Sequence, residues 1–283
     1  MSKILLSADS TCDISGELLE RTKVQLFPLH IILGEKSYED GVNITPDEIY
    51  ANFRATGKLP KTAAINTQEY IDAFKPYIDQ GYDVIHINLG SALSSSYQNC
   101  VEAARQIGHL YPINSCNLSS GSGHLVIEAA ERIRQGMEVT AIVEELKNLV
   151  PKCHASFVID KLDYLRAGGR CSALAMLGAN LLQIKPSIYV NNADGSMTVG
   201  KKYRGKLEKV LVSYVHDKLS QYEHIRPQRI FITHAGIGQQ YVDVVREEVE
   251  KLNFFQEIFI ERASCTISSH CGPGTIGILF MTE

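Results

Sequence analysis

The strongest constraint on the fold is an alternation: a short, almost continuously apolar segment, then a helical pattern within a few residues. "KILLSADS" at 3–10 is followed by "DISGELLERT" at 13–22. "DVIHINLG" at 83–90 runs almost at once into "SSSYQNCVEAARQI" at 94–107. "PINSCNLS" at 112–119 is followed by "GSGHLVIEAAERIRQG" at 121–136, and "TAIVEELKNLV" at 140–150 closes this half. Strand-length apolar runs bounded by turn residues belong to strands covered on both faces, and intervening helices supply that cover. The pattern predicts a parallel sheet with helices on both sides. Between these units, "VQLFPLHIIL" at 24–33 reads as one strand and "LGEKSYEDG" as a hairpin or excursion. Thr45 before Pro46 and two acidic residues marks a helix start.

The pattern changes past residue 150. "PKCHASFVID" opens a second half, followed by "LDYLRAGGR" and a helix of interleaved small residues, "ALAMLGANLLQI", at 173–184. "KPSIYVNNADGSMTVGKKYRG" reads as two strands joined at the Asp-Gly turn of residues 194–195. Helices at 207–222 and 239–252 then alternate with strands at 229–236, 257–264 and 275–281. The expectation is two domains, 1–152 a parallel-sheet α/β unit and 153–283 a mixed α/β unit.

Composition narrows the function classes. The net charge is −4 and no basic run is present, which argues against a nucleic-acid surface. No signal-peptide pattern is read at "MSKILLSADSTCD", and "ALAMLGANLLQI" is too short to span a bilayer. Seven scattered cysteines without C-x-x-C spacing suggest free thiols in a reducing compartment, so a cytoplasmic protein without a zinc site is expected. No metal-ligand spacing of histidines appears. The P-loop, G-x-G-x-x-G and G-x-S-x-G patterns are absent as well.

Polar clusters at strand ends are the candidate site, since open α/β sheets bind ligands there. They are Asp9 and Ser10 in "ADSTCD", Thr62 in "PKTAAINTQ", and Ser91, Ser94, Ser95 and Ser96 in "GSALSSSYQ". Arg166 and Arg170 in "LRAGGRCS" and His270 beside a Gly-Pro-Gly turn complete the set. Hydroxyls at a helix start can cap the helix or bind a carboxylate or phosphate. A histidine at a turn can be structural or functional, and Asp9 can face a ligand or cap the next helix.

In combination these blocks resemble the DegV family of bacterial fatty-acid-binding proteins. The resemblance rests on "DSTCDI" at 9–14, "TAAINTQEY" at 62–70, "GSALSSSYQ" at 90–98, "FVIDKLDYLRAGGR" at 157–170, "KP" at 185–186 and "HCGPGTIGI" at 270–278, in that order. It implies a two-domain DegV-type α/β fold, with a long-chain fatty acid in a tunnel between an N-terminal parallel-sheet domain and a C-terminal mixed domain. It implies a carrier, not an enzyme, that presents the bound acid to a separate fatty acid kinase for conversion to an acyl phosphate, without a cofactor and with transient contact at a membrane surface. The family's carboxylate ligands match Thr62, Ser94 and His270. Arg170 and Arg204 match basic positions suited to phosphoryl transfer or kinase contact, and Asp9, Ser10, Ser91, Ser95 and Ser96 stand behind the ligands. The chain departs from the family pattern at Ala63-Ala64-Ile65, at Ser95-Ser96 and at Asn114. Two alternatives stay open: a serine esterase or thioesterase using Ser94 and His270, and a binder of another anionic ligand.

Overall fold

A computed structural model describes residues 3–170 and 184–283. The helix expected at 173–184 falls, but for Ile184, outside the described residues.

The first half alternates as its sequence requires. In chain order it comprises β1 (Lys3–Asp9), α1 (Gly16–Thr22), β2 (Gln25–Phe27), β3 (His30–Leu33), β4 (Lys36–Glu39) and α2 (Pro46–Thr56). These are followed by β5 (Lys61–Ala63), α3 (Thr67–Ile78), β6 (Tyr82–Asn88), α4 (Ser96–Ile107), β7 (Leu110–Asn114), α5 (Ser120–Arg134) and α6 (Val139–Leu149). β2, β1, β6 and β7 form a sheet in that order, parallel throughout.

Residues 24–33 do not make one strand. β2 ends at Phe27 in the parallel sheet, while β3 begins at His30 in a separate antiparallel sheet of order β4-β3-β5. Pro28 has no N–H and interrupts the ladder between them. The Leu29 N–H is satisfied instead by Ser10 Oγ at 3.3 Å. β5 was not expected as a strand; it pairs with β3, setting Thr62 opposite Ile31.

Two helices of this half start on reciprocal caps. Thr45 Oγ1 accepts from Glu48 N while the Glu48 carboxylate accepts from Thr45 N at 2.8 Å, and Asn66 and Glu69 repeat the device at α3. Such boxes satisfy N–H groups that the first helical turn leaves over.

The second half comprises β8 (Cys153–Val158), α7 (Asp163–Gly168), β9 (Ile184–Val190), β10 (Met197–Arg204), α8 (Leu207–Leu219) and β11 (Ile225–His234). It ends with α9 (Gln239–Lys251), β12 (Glu257–Arg262), α10 (Cys265–Cys271) and β13 (Ile276–Thr282). Its six strands run in the order β10-β9-β8-β13-β11-β12, with only β11 and β12 parallel. The molecule therefore has a parallel-sheet N-terminal domain and a mixed-sheet C-terminal domain.

The helix α5 joins the two. Residues Ser120–Ala130 are all buried, and the helix touches β1 and β6 of one sheet and β8 and β13 of the other. Two of its polar side chains bond across the junction. Glu128, 1% exposed, pairs with Arg132, Arg226 and Arg229. His124 Nε2 donates to Leu279 O at 3.1 Å, and burial pushes this histidine down to about 3, so it is neutral. The helix thus packs against both sheets, and a cavity opens along their junction.

Candidate functional site

Three elements distant in sequence meet at the mouth of this cavity. β5 brings Thr62, the turn ahead of α4 brings Ser94, and the last turn of α10 brings His270. His270 therefore sits on a short helix, ahead of the Gly-Pro-Gly turn.

Its placement is tightly constrained. Asp40 accepts from the N–H groups of Cys265 (2.7 Å) and Thr266 (3.0 Å), fixing the start of α10. Gly272 follows with φ of 73°, a conformation that favours glycine, and a Cβ there would meet the Tyr164 ring at 2.6 Å. Gly168, at the end of α7, lies so close that any Cβ would collide with His270 Nδ1. Ring packing thus explains the first glycine of the "AGG" in the arginine block, and the second, Gly169, caps α7 with φ of 66°.

His270 Nε2 and Thr62 Oγ1 are hydrogen-bonded at 2.9 Å. Nδ1 is buried with no partner among the described residues. Burial, then the nearby Arg170 charge, lowers the imidazole pKa to about 4, so the ring is neutral at pH 7. Arg170 itself is exposed; its guanidinium donates to Gly168 O at 2.7 Å and Leu93 O at 3.5 Å.

Ser94 Oγ lies 2.9 Å from Ser96 Oγ and accepts from Ser96 N at 3.2 Å. Ser96 is buried, and its hydroxyl also accepts from Ile65 N. Ser95 is the N-cap of α4 but makes no side-chain cap bond, so Ser94 performs that task from one residue earlier.

The cavity measures about 140 Å³. Thr62, Ser94, Ser95, Arg170, Thr266 and His270 are its polar lining residues, and Leu29, Leu89, Leu93, Leu118, Met197 and Ile267 are the larger apolar ones. A second, almost wholly apolar cavity of about 30 Å³ shares Leu118, Ile267 and Cys271 as a wall and reaches Phe157, Ala263 and Leu279.

The other candidate residues lie behind or away from this site. Asp9 is buried as a structural acceptor for Leu89 N (2.7 Å), His86 Nε2 (3.0 Å) and Tyr70 OH (3.2 Å). Ser10 Oγ donates to Asp40 Oδ2 at 3.1 Å. Ser91 is tied to the Asn114 side chain through both its N–H and its hydroxyl. Arg204 is exposed at the end of β10, seven residues from Met197, and lines neither cavity.

Two residues of consequence carried no sequence signal. Asp40 lies in what reads as an ordinary hairpin, yet it accepts from Cys265 N, 225 residues away. Thr266, 4% exposed, lines the cavity, and its hydroxyl has no partner among the described residues. Among the described residues no three His, Cys, Asp or Glu side chains group as a metal site. Nor do hydrogen bonds assemble a hydrolytic triad: His270 bonds Thr62 rather than Ser94, and no carboxylate reaches its other nitrogen.

A model of the DegV family matches residues 3–283. The chain belongs to the DegV family. A DegV domain-containing protein of Clostridium perfringens is 29% identical over 285 residues, covering all of both chains. Among solved structures, a fatty-acid-binding DegV family protein from Thermus thermophilus superposes with a TM-score of 0.90 at 26% identity, over 99% of this chain and all of that one. DegV of Bacillus subtilis, a fatty acid binding protein, gives 0.85 at 25% identity over the whole of both chains. DegV-type architecture thus persists here with about three-quarters of the residues changed.

Proposed function

We propose that this protein binds a long-chain fatty acid, its tail in the two adjoining apolar cavities and its carboxylate among Thr62, Ser94 and His270. The observation that carries this reading is the Thr62–His270 hydrogen bond on the wall of a cavity lined mainly by apolar residues. The fatty-acid binding of the Thermus and Bacillus relatives supports it. The halves 1–152 and 153–283 serve as the walls.

Burying a methylene is worth about 0.8 kcal/mol, so a tail of about fifteen such groups offers a gross gain on the order of 12 kcal/mol before association costs. The carboxylate needs donors, because an unpaired buried charge is far more costly than any single hydrogen bond. Thr62 and Ser94 supply hydroxyls, and neutral His270 supplies one N–H.

The bound acid is presented to a separate kinase of the cytoplasm, at or near the inner membrane face. Arg170, exposed at the cavity's rim, is suited to steady charge growing on the carboxylate as it is phosphorylated. Arg204 offers a second cation for kinase contact.

Mass spectrometry of organic extracts from the purified protein tests the binding step. The expected result is one bound fatty acid per chain, reduced in the Thr62→Ala/His270→Ala double variant. An extract without acyl lipid, from protein that takes up none when offered oleate, would refute it.

A further inference from the structure

On the α8 side of the mixed sheet lies a separate polar cavity of about 60 Å³, walled by β9, β10 and α8. Lys218 of α8 lines it and is only 7% exposed. A lysine so buried is normally paired with a carboxylate. Among the described residues Lys218 has no ion pair. Its Nζ donates to Tyr222 OH at 2.8 Å and sits 4.7 and 5.3 Å from the ring centroids of Tyr222 and Tyr189. The neighbouring acid, Asp217, is engaged elsewhere, with Lys201 at 2.7 Å.

The cavity is kept open by local irregularity. The β9–β10 register slips between Val199 and Lys202, and Gly200 lies there. A Cβ at Gly200 would come 2.7 Å from Ser187 Oγ, so glycine preserves the space. The cavity is also lined by Ser187, Tyr189 and Gln221, which are neutral, and by Lys201, whose charge Asp217 balances. Neither Tyr189 nor Gln221 makes a side-chain hydrogen bond among the described residues. Burial lowers Lys218 to about 8, and Lys218 adds to the burial that holds nearby His154 down to about 4. The region thus carries one uncompensated positive charge beside an open cavity.

We propose that this cavity binds a small oxyanion, a phosphate or carboxylate group, with Lys218 as its counter-charge and Gln221 and Tyr189 as neutral donors. The site is independent of the lipid cavity, and its occupancy does not require a bound fatty acid.

The test is anion binding by the full-length protein, using inorganic phosphate and glycerol 3-phosphate followed by 31P NMR and acetate followed by 13C NMR. The expected result is saturable binding of at least one of the three. Phosphate with glycerol 3-phosphate indicates a phosphoryl group, glycerol 3-phosphate alone a phosphomonoester, and acetate alone a carboxylate. Lys218→Met should weaken binding by about tenfold or more, and Gln221→Leu by a few-fold, the scale of one lost hydrogen bond to a charged group. Near-UV circular dichroism checks folding. If Lys218→Met does not fold, Gln221→Leu and Tyr189→Phe decide. No saturable binding of any of the three anions, or binding unchanged in the folded variants, overturns the proposal.

Discussion

Two histidines of this protein occupy buried polar clusters, and they differ in one respect. His86 on β6 is closed: Nδ1 meets Ser7 Oγ at 3.0 Å, Nε2 meets Asp9 Oδ1 at 3.0 Å, and the ring is fully buried. His270 is open: Nε2 holds one hydroxyl on a cavity wall, and Nδ1 has no partner among the described residues. A completed cluster rigidifies a sheet edge, because each polar group has its partner. An incomplete one leaves hydrogen-bonding capacity for something that arrives later. The first therefore belongs to stability and the second to binding.

The largest expected effect lies on the closed side. Asp9→Ala removes the acceptor of Leu89 N, His86 and Tyr70 together, and should cost about 3–5 kcal/mol of stability. Urea unfolding measures it; a loss no greater than that of His270→Ala would erase the distinction. Gly168→Ala comes next. The added methyl displaces the His270 ring and should cost about 1–3 kcal/mol as overpacking, together with lipid affinity, as titration with a fluorescent fatty acid will show. Thr62→Ala and His270→Ala should each weaken the same titration by about 1–3 kcal/mol while leaving unfolding nearly unchanged.

A pH effect sharpens the contrast further. The free-state pKa of His270 is about 4, below its unfolded value, so its neutral form stabilises the fold above the unfolded pKa. That contribution is lost as pH falls from about 6.5 towards 4. A bound carboxylate beside the ring raises this pKa. Binding then takes up a proton, and affinity rises as pH falls through the bound-state pKa towards 4. Calorimetry in buffers of different ionisation enthalpy detects that proton, which His270→Ala should abolish. The smallest effect on binding belongs to Arg170→Ala. Among the described residues its guanidinium bonds backbone carbonyls near the site, so lipid affinity should stay within about threefold, near the range of exposed substitutions.

The parts of the fold legible in sequence were those set by local physics. The segments at 3–9 and 83–88 are short, mostly apolar and followed closely by helical patterns, so a parallel sheet was readable without knowing their partners. The helix start at Thr45 was legible because its cap lies within four residues of sequence. What escaped was non-local. β5 is three residues long and exists because β3 lies beside it. The break at Pro28 looked like one continuous strand because both flanks are apolar. At the site, Thr62, Ser94 and His270 were singled out through family motifs, since a hydroxyl ahead of a helix and a histidine near a turn have ordinary structural uses. Asp9 looked ligand-facing from its place at a strand end, yet its three partners bury it. Thr266 was invisible because its significance is a hydroxyl in a cavity with no partner among the described residues, which no spacing encodes.

The central claim is that His270 and Thr62 receive a fatty-acid carboxylate. The most direct measurement is the 13C NMR signal of carboxyl-labelled oleate bound to the protein. The account predicts a bound carboxyl resonance distinct from that in vesicles, displaced in both Thr62→Ala and His270→Ala. A bound resonance identical in the wild type and both variants would place the carboxylate elsewhere and contradict it.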